Sequence, residues 1–214
     1  MGDMYMIKNK DDYIMPKRSI FFLLLILLLL PLSVFAAESD LNKTLIVYYS
    51  LTGNTRTSCE ALQGTLGADI VEIKDLKKRS GKWGFFKTAI ASLFGKHTKI
   101  EPENPNFSPY ANIILASPIW TGKLSMAIRT LIDKNRFDEK KVVIFTTTNA
   151  FEKEKYKEKA RKLVRKAGGD VVGYYQILAK EKVNDKKIDR TKGQIIEDTL
   201  ALVPEIKKLF FLEQ

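Results

Sequence analysis

Cysteine and histidine are scarce in this chain of 214 residues, which contains one of each. A single cysteine excludes an internal disulfide framework and a cysteine-rich metal site. A single histidine, His97, excludes a histidine-rich metal cluster, and any Ser-His-Asp triad would have to use it. The chain also lacks internal repeats and Gly/Ser-rich linkers. With 45% hydrophobic and 29% charged residues, it is expected to form one folded domain with a buried core.

Acidic residues are in the minority. The chain has 25 Asp and Glu against 36 Lys and Arg, which gives a formal net charge of +11. Such a balance favours anionic partners, namely phosphate groups, acidic lipid headgroups, acidic proteins or nucleic acid.

Charge is absent from Ile20–Ala37, a run of 18 residues preceded by Lys17 and Arg18 and followed by Glu38. This layout predicts a secretory signal that is cleaved before Ala37. Eighteen apolar residues also suffice to span a bilayer, so residues 1–37 are predicted to be either a signal peptide or an N-terminal membrane anchor. Both alternatives place residues 41–214 outside the cytoplasm, in the periplasm or another extracytoplasmic location.

From residue 44 onward, short apolar runs alternate with segments of helical periodicity. This alternation predicts a three-layer α/β domain, with helices on both faces of a mostly parallel five-stranded sheet. The predicted strands are Thr44–Tyr49, Asp69–Ile73, Asn112–Ala116, Lys141–Thr147 and Asp170–Leu178. The predicted helices are 53–66, 124–132, 156–167 and a last one from Ile195, in which Pro204 bends the helix or ends its first half.

The segment after the first strand is rich in hydroxyls and contains a glycine. In an open α/β sheet the ligand binds at the carboxyl ends of the strands, so chemistry is expected in such loops. Ser50, Thr52, Gly53, Asn54 and Thr55 stand where a helix begins. Backbone N–H groups at a helix N-terminus suit a phosphate dianion. The alternative is an ordinary N-cap, for which Ser, Thr and Asn are also the preferred residues.

Two further loops are expected at the same edge. The loop after the third strand contains Pro118, Ile119, Trp120, Thr121 and Gly122, and its tryptophan either packs on the domain or stacks on a planar ligand. The loop after the fourth strand, Thr146–Ala150, is again short and rich in hydroxyls. It either contributes to the site or caps the helix that begins near Phe151.

Together these loops resemble those of the flavodoxin family. The segment TLIVYYSLTGNTRT from Thr44 is similar to the family's first strand and phosphate loop, with its [ST]-x-T-G-x-T pattern. The segment ASPIWTGKLSMAIRTLI from Ala116 is similar to the second flavin loop and the helix that follows it. The resemblance extends from Thr44 to about Phe211.

The resemblance implies a flavodoxin-like sheet in the order 2-1-3-4-5 and bound FMN. Ser50, Thr52, Gly53, Asn54 and Thr55 match the phosphate-binding positions. Pro118, Ile119, Trp120, Thr121 and Gly122 match the loop beside the isoalloxazine, with Trp120 as the stacking ring. Thr147, Thr148 and Asn149 match the opposite loop by position only, because Thr146–Ala150 offers neither an aromatic residue nor a glycine-rich turn.

Two basic segments add to this interpretation. Residues 74–99 carry eight basic side chains and one acidic one, and the spacing of Trp83, Phe86, Ile90 and Leu93 predicts an amphipathic helix. The sequence leaves four interpretations of this segment open: a lid on the isoalloxazine ring, a docking face for an acidic partner, a surface that binds anionic lipid, or a solvated helix. The second basic segment, Lys153–Lys166, is predicted to be an ordinary exposed helix face.

The leading hypothesis is an FMN-binding, flavodoxin-like protein that transfers electrons outside the cytoplasm. In this hypothesis it acts as a carrier or as an FMN-dependent oxidoreductase of the NAD(P)H or quinone type. Its partner is a redox protein or a quinone. No side chain is assigned as a catalytic acid or base, because the flavin supplies the redox chemistry. Positive charge near a flavin favours its reduced anion, so we expect a higher potential than that of an acidic flavodoxin. The alternative is a non-catalytic binding module that has lost FMN and binds an anionic partner. An anionic membrane surface is a further candidate partner, whereas nucleic acid is not expected for an exported domain.

Overall fold

The computed structural model describes residues 43–77 and 97–211 of the chain. The predicted signal or anchor at 1–37 lies outside the described residues, as does the helix predicted from Trp83 to Leu93. None of the helices in the described ranges is both long and apolar enough to cross a membrane.

Ten strands and five helices make up the described part of the domain. The strands are β1 Thr44–Tyr48, β2 Asp69–Glu72, β3 Lys74–Asp75, β4 Ile100–Glu101, β5 Asn112–Trp120, β6 Lys123–Leu124, β7 Lys141–Thr148, β8 Asp170–Leu178, β9 Lys180–Val183 and β10 Lys186–Asp189. The helices are α1 Asn54–Leu66, α2 Met126–Lys134, α3 Glu154–Lys166, α4 Lys192–Ala201 and α5 Val203–Phe211.

The central sheet has the order β2-β1-β5-β7-β8, and these five strands are parallel. The predicted order 2-1-3-4-5 is therefore confirmed. The order reverses between β1 and β5, because the chain first adds β2 on one side of β1 and then crosses to the other side. A crevice for a ligand is expected at this switch point, beyond the carboxyl ends of the strands.

Both faces of the sheet are covered, which explains why β1 is apolar from Leu45 to Tyr48 instead of alternating. Leu45 and Val47 pack on the face that is covered by α2 and α3. Ile46 and Tyr48 pack on the opposite face, with residues of α1, α4 and α5. Cys59 of α1 is buried in that second layer, and burial raises the pKa of its thiol well above the ordinary value.

The segment after the third predicted strand is not a loop, which corrects the expectation from sequence. β5 continues through Pro118 to Trp120, where β6 pairs with it in an antiparallel hairpin. Proline is tolerated here because β1 pairs with β5 only as far as Ala116, and beyond that point no described strand pairs with Pro118 on the β1 side.

Two other features differ from the pattern expected from sequence. A hairpin made of β9 and β10 follows the fifth central strand, and β3 pairs with β4 beside the sheet. The last helical segment is divided as the proline indicated: α4 ends at Ala201 and α5 begins at Val203. Pro204 lies in the first turn of α5, where its missing N–H has no helical partner to lose.

Candidate functional site

A pocket of about 580 Å³ opens at the carboxyl edge of the central sheet, at the switch point. This volume is within the range of small-molecule and cofactor sites. Four parts of the chain form its wall: the segment after β1, the end of β5 with its hairpin turn, the end of β7 with the residue that follows it, and the β9–β10 hairpin with Ala179. The lining residues from the first three are Leu51, Thr52, Asn54, Pro118, Ile119, Trp120, Thr121, Thr147, Thr148 and Asn149, and those from the fourth are Ala179, Lys180 and Asp189.

The segment after β1 presents the N-terminus of α1 to this pocket. Gly53 has a φ of 97°, a left-handed conformation that glycine adopts without strain, and no described atom lies within 4 Å of where a Cβ would be. Among the described residues, no side chain caps the first turn of α1. The hydroxyl of Ser50 instead accepts a hydrogen bond from the Gly53 N–H, at 3.2 Å. The geometry therefore favours the anion-binding interpretation of this segment over the N-cap interpretation.

A hydrogen bond between the hydroxyls of Thr55 and Thr147 connects two walls of the site. Their hydroxyl oxygens are 2.8 Å apart, and both side chains are buried. The pair connects α1 to the end of β7 across 92 residues of sequence. Thr55 is not among the residues that line the pocket, so its hydroxyl supports the wall in this structure.

The β5–β6 hairpin forms the aromatic wall. Its two-residue turn, Thr121 and Gly122, has φ values of 51° and 73°, as in a type I′ turn. Trp120 lines the pocket and also packs edge-to-face on Tyr49, with ring centroids 5.8 Å apart. A Cβ at Gly122 would lie 2.9 Å from the ring of Tyr156, so α3 packs closely on the turn.

The end of β7 and the residues that follow it form a third wall of the pocket, beside β5, because Thr147 pairs with Pro118 in the sheet. The Thr148 hydroxyl donates to the carbonyl of Ala150, at 2.8 Å, and so shapes the turn. This segment does not cap α3, because that helix begins only at Glu154, with Lys153 at its N-cap. An aromatic residue that the sequence analysis did not assign, Phe151, lies just beyond this turn and is largely exposed.

Glu152 fixes the same segment to β8. Its carboxylate accepts hydrogen bonds from the Tyr174 hydroxyl, at 2.5 Å, and from the Gln176 amide, at 2.8 Å. Burial raises the pKa of the Glu152 carboxyl, although both hydrogen bonds oppose the shift. Burial also raises the pKa of the Tyr174 hydroxyl.

The fourth wall comes from the β9–β10 hairpin, which sequence reasoning missed. Lys180 and Asp189 lie directly opposite each other in its register, and Lys180 Nζ is 2.8 Å from Asp189 Oδ1. The available signal was the Asn184-Asp185 pair, since Asn and Asp tolerate left-handed backbone in two-residue turns. Both residues have positive φ here.

Nine of the thirteen residues predicted for the site line the pocket. They are Thr52, Asn54, Pro118, Ile119, Trp120, Thr121, Thr147, Thr148 and Asn149. The other four, Ser50, Gly53, Thr55 and Gly122, shape the backbone and the wall behind these residues.

In sequence, the chain matches neither a protein-family model nor a curated protein. In structure, it is similar to a flavoprotein from Lactobacillus acidophilus NCFM in complex with FMN, at 23% identity and a TM-score of 0.55, over 63% of this chain and 93% of that one. It is also similar to a candidate flavoprotein from Bacteroides uniformis ATCC 8492, at 17% identity and a TM-score of 0.59, over 73% and 96% of the two chains. A candidate flavoprotein from Bacteroides eggerthii DSM 20697 aligns at 20% identity and a TM-score of 0.57, over 76% and 98%. Together with the strand order, these likenesses show that the domain has a flavodoxin-like fold.

Proposed function

We propose that this protein binds FMN in the pocket at the carboxyl edge of the sheet and transfers electrons outside the cytoplasm, as a carrier or as a flavin-dependent reductase. The observation that carries the proposal is the combination, in one pocket, of an uncapped helix N-terminus and an aromatic wall. FMN has the matching two ends, a phosphate dianion and a planar ring.

The residues present fit the phosphate end of this cofactor. The N-terminus of α1 offers backbone N–H groups that no described side chain caps, and the positive end of the helix dipole favours an anion. Thr52 and Asn54 add polar side chains to the pocket wall, and Gly53 leaves open space beside them. These residues would hold the phosphate.

The residues present also fit the ring. Ile119 and Trp120 give the β5–β6 wall an apolar surface, and the contact of Trp120 with Tyr49 holds the indole in place. When bound, the flavin would supply the redox chemistry, and the protein would supply binding, orientation and electrostatics.

The location and the partners are proposed from the sequence. The uncharged run Ile20–Ala37 and its basic flank support export or anchoring of the domain. Residues 1–36 contain four basic and three acidic residues, so the remaining 178 residues have a net charge of +10. This charge supports an acidic redox protein as partner, or a quinone at an anionic membrane surface.

A binding module without flavin is the second candidate function, and one surface of α3 favours it. Glu154 and Glu158 both form ion pairs with Arg161. Four exposed lysines recur on a separate stripe of the helix and have no ion pair with any described residue: Lys155, Lys159, Lys162 and Lys166. Such a stripe suits an anionic partner.

Titration of the full-length chain with FMN separates the two functions. We expect the flavin fluorescence to be quenched and the visible spectrum to shift, with a Kd at or below the micromolar range. Riboflavin, which lacks the phosphate, is expected to bind more weakly. Failure to bind FMN at micromolar concentrations would refute the flavoprotein proposal and leave the binding module.

Two variants test the two ends of the site separately. Thr52→Val is expected to weaken FMN binding but not riboflavin binding, whereas Trp120→Ala is expected to weaken both. Thr65→Val is the matched control, because this exposed hydroxyl lies near the far end of α1, where it donates to the carbonyl of Ala61. Equal weakening of FMN and riboflavin binding by Thr52→Val would contradict the assignment of the phosphate end.

A further inference from the structure

The described wall of the pocket is neutral apart from two side chains. Among its lining residues in the described part of the chain, only Lys180 and Asp189 are ionisable. Both belong to the β9–β10 hairpin, which is no part of the central sheet.

The hairpin is fixed to the sheet at its base, so Lys180 has a defined position. The Ala179 N–H donates to the carbonyl of Thr148, at 2.7 Å, and thereby joins the hairpin to the end of β7. The Arg190 N–H donates to the carbonyl of Ala179, at 3.0 Å, which closes the hairpin. The guanidinium of Arg190 also forms an ion pair with Asp198 of α4.

The two charges of the pair are unequally exposed to water. The side chain of Lys180 is 31% exposed, whereas that of Asp189 is 81% exposed. Solvent and salt screen an exposed charge more strongly than a partly buried one. Of the two charges that line the pocket, the one on Lys180 therefore belongs to the less exposed side chain, and Asp189 offsets it only in part.

We infer that Lys180 selectively stabilises the reduced, negatively charged form of the bound flavin and that Asp189 moderates this effect. The inference rests on the proposed function. Reduction transfers two electrons from the donor and takes one proton from water, and it leaves one negative charge on the ring. Lys180 lines the pocket that would hold the ring, and charges closer than about 10 Å, one Debye length at 0.1 M salt, are only partly screened, so the ammonium would favour the ring anion over the neutral ring.

The test is the reduction potential of FMN bound to the full-length chain, measured by equilibration with reference dyes and with dithionite as reductant. Lys180→Gln is expected to lower the potential, and Asp189→Asn to raise it. For Lys180→Gln the ratio of affinities for reduced and oxidised FMN should fall at least threefold; a tenfold change corresponds to about 30 mV for two electrons. The opposite signs matter, because damage to the hairpin would shift both variants in the same direction.

The hairpin provides its own matched controls. Lys182 and Asp185 form a second ion pair, with Lys182 Nζ 2.6 Å from Asp185 Oδ1, but their side chains are 67% and 91% exposed and do not line the pocket. Lys182→Gln and Asp185→Asn make the same charge changes and are expected to leave the potential unchanged.

The outcomes are distinct. If FMN binds and neither Lys180→Gln nor Asp189→Asn changes the potential, the inference is wrong while the proposed function stands. If Lys180→Gln weakens the binding of oxidised and reduced FMN equally, the ammonium interacts with the phosphate and not selectively with the reduced ring, and the inference is also overturned. If the wild-type chain binds no FMN, the proposed function fails and the inference fails with it.

Discussion

The hydroxyl pair of Thr55 and Thr147 allows a quantitative test of how the site is held together. Replacing either threonine by valine preserves its shape and leaves the other hydroxyl without its partner. A buried polar group that loses its hydrogen bond costs about 1–3 kcal/mol, whereas replacing both partners by apolar groups of the same shape is close to neutral. The two single variants should therefore be destabilised and the double variant should recover.

The two single variants should also differ from each other. Thr55 is 1% exposed and does not line the pocket, whereas Thr147 is 4% exposed and lines it. Thr147→Val, which strands the enclosed hydroxyl of Thr55, should lie near the upper end of the range, and Thr55→Val near the lower end. With a urea m-value of about 2 kcal/mol/M, the midpoints should fall by roughly 0.5–1.5 M.

Urea unfolding followed by tryptophan fluorescence measures these shifts, and a double-mutant cycle isolates the coupling between the two hydroxyls. Thr65→Val removes an exposed hydroxyl from the same helix and should change the free energy of unfolding by no more than about 0.5 kcal/mol. Additive effects of the two substitutions, within about 0.5 kcal/mol, would refute the claim that this contact joins α1 to β7.

Three further predictions follow from single side chains. Trp120→Ala should weaken FMN binding by about tenfold, or 1.4 kcal/mol, through loss of ring contact; an unchanged Kd in the fluorescence titration would contradict its place in the site. Gly122→Ala should lower the free energy of unfolding by at least about 1–2 kcal/mol, because the φ of residue 122 is positive and the added Cβ crowds Tyr156. Its control Gly64→Ala, in the interior of α1 with open space around it, should stabilise by about 0.5–1 kcal/mol; thermal unfolding checks both, and equal stability of Gly122→Ala and wild type would be evidence against the crowding. Glu152 has a raised folded pKa, so its contribution to stability is present below the ordinary pKa of 4.5 and is lost as the pH rises through the folded pKa. In a series of urea titrations, the free energy of unfolding of Glu152→Gln should therefore rise relative to that of wild type as the pH increases above 4.5. A difference that stays constant with pH would contradict the raised pKa of Glu152.

The architecture of the sheet could be predicted because burial and sequence agree there. A central strand that is covered on both faces forms a nearly continuous apolar run, and Leu45–Tyr48 of β1 has this pattern. Helical spacing in Leu124–Ile132 likewise indicated α2, whose apolar residues are buried. The glycine of the first loop was informative because the N-terminus of α1 requires positive φ at Gly53.

The two hairpins that complete the pocket could not be predicted in the same way. Seven of the ten residues of KEKVNDKKID are charged, so the segment from Lys180 to Asp189 has the composition of a solvated loop. Its strands are held by backbone hydrogen bonds and cross-strand ion pairs, which leave no apolar periodicity. At Pro118 the sequence predicted a loop, because the feature that permits proline in β5, the end of the β1 pairing at Ala116, is visible only in the structure.

Because each of these hairpins is closed by a two-residue turn, substitutions within it can alter ligand binding locally. Two walls of the pocket are already hydrogen-bonded strands, so a ligand pays little conformational entropy to order them. Each hairpin is also a local unit, closed within about ten residues of sequence. Substitutions or a lengthened turn in either one can therefore alter ligand preference while the parallel sheet keeps its register, which makes these two walls the natural places to redesign the site.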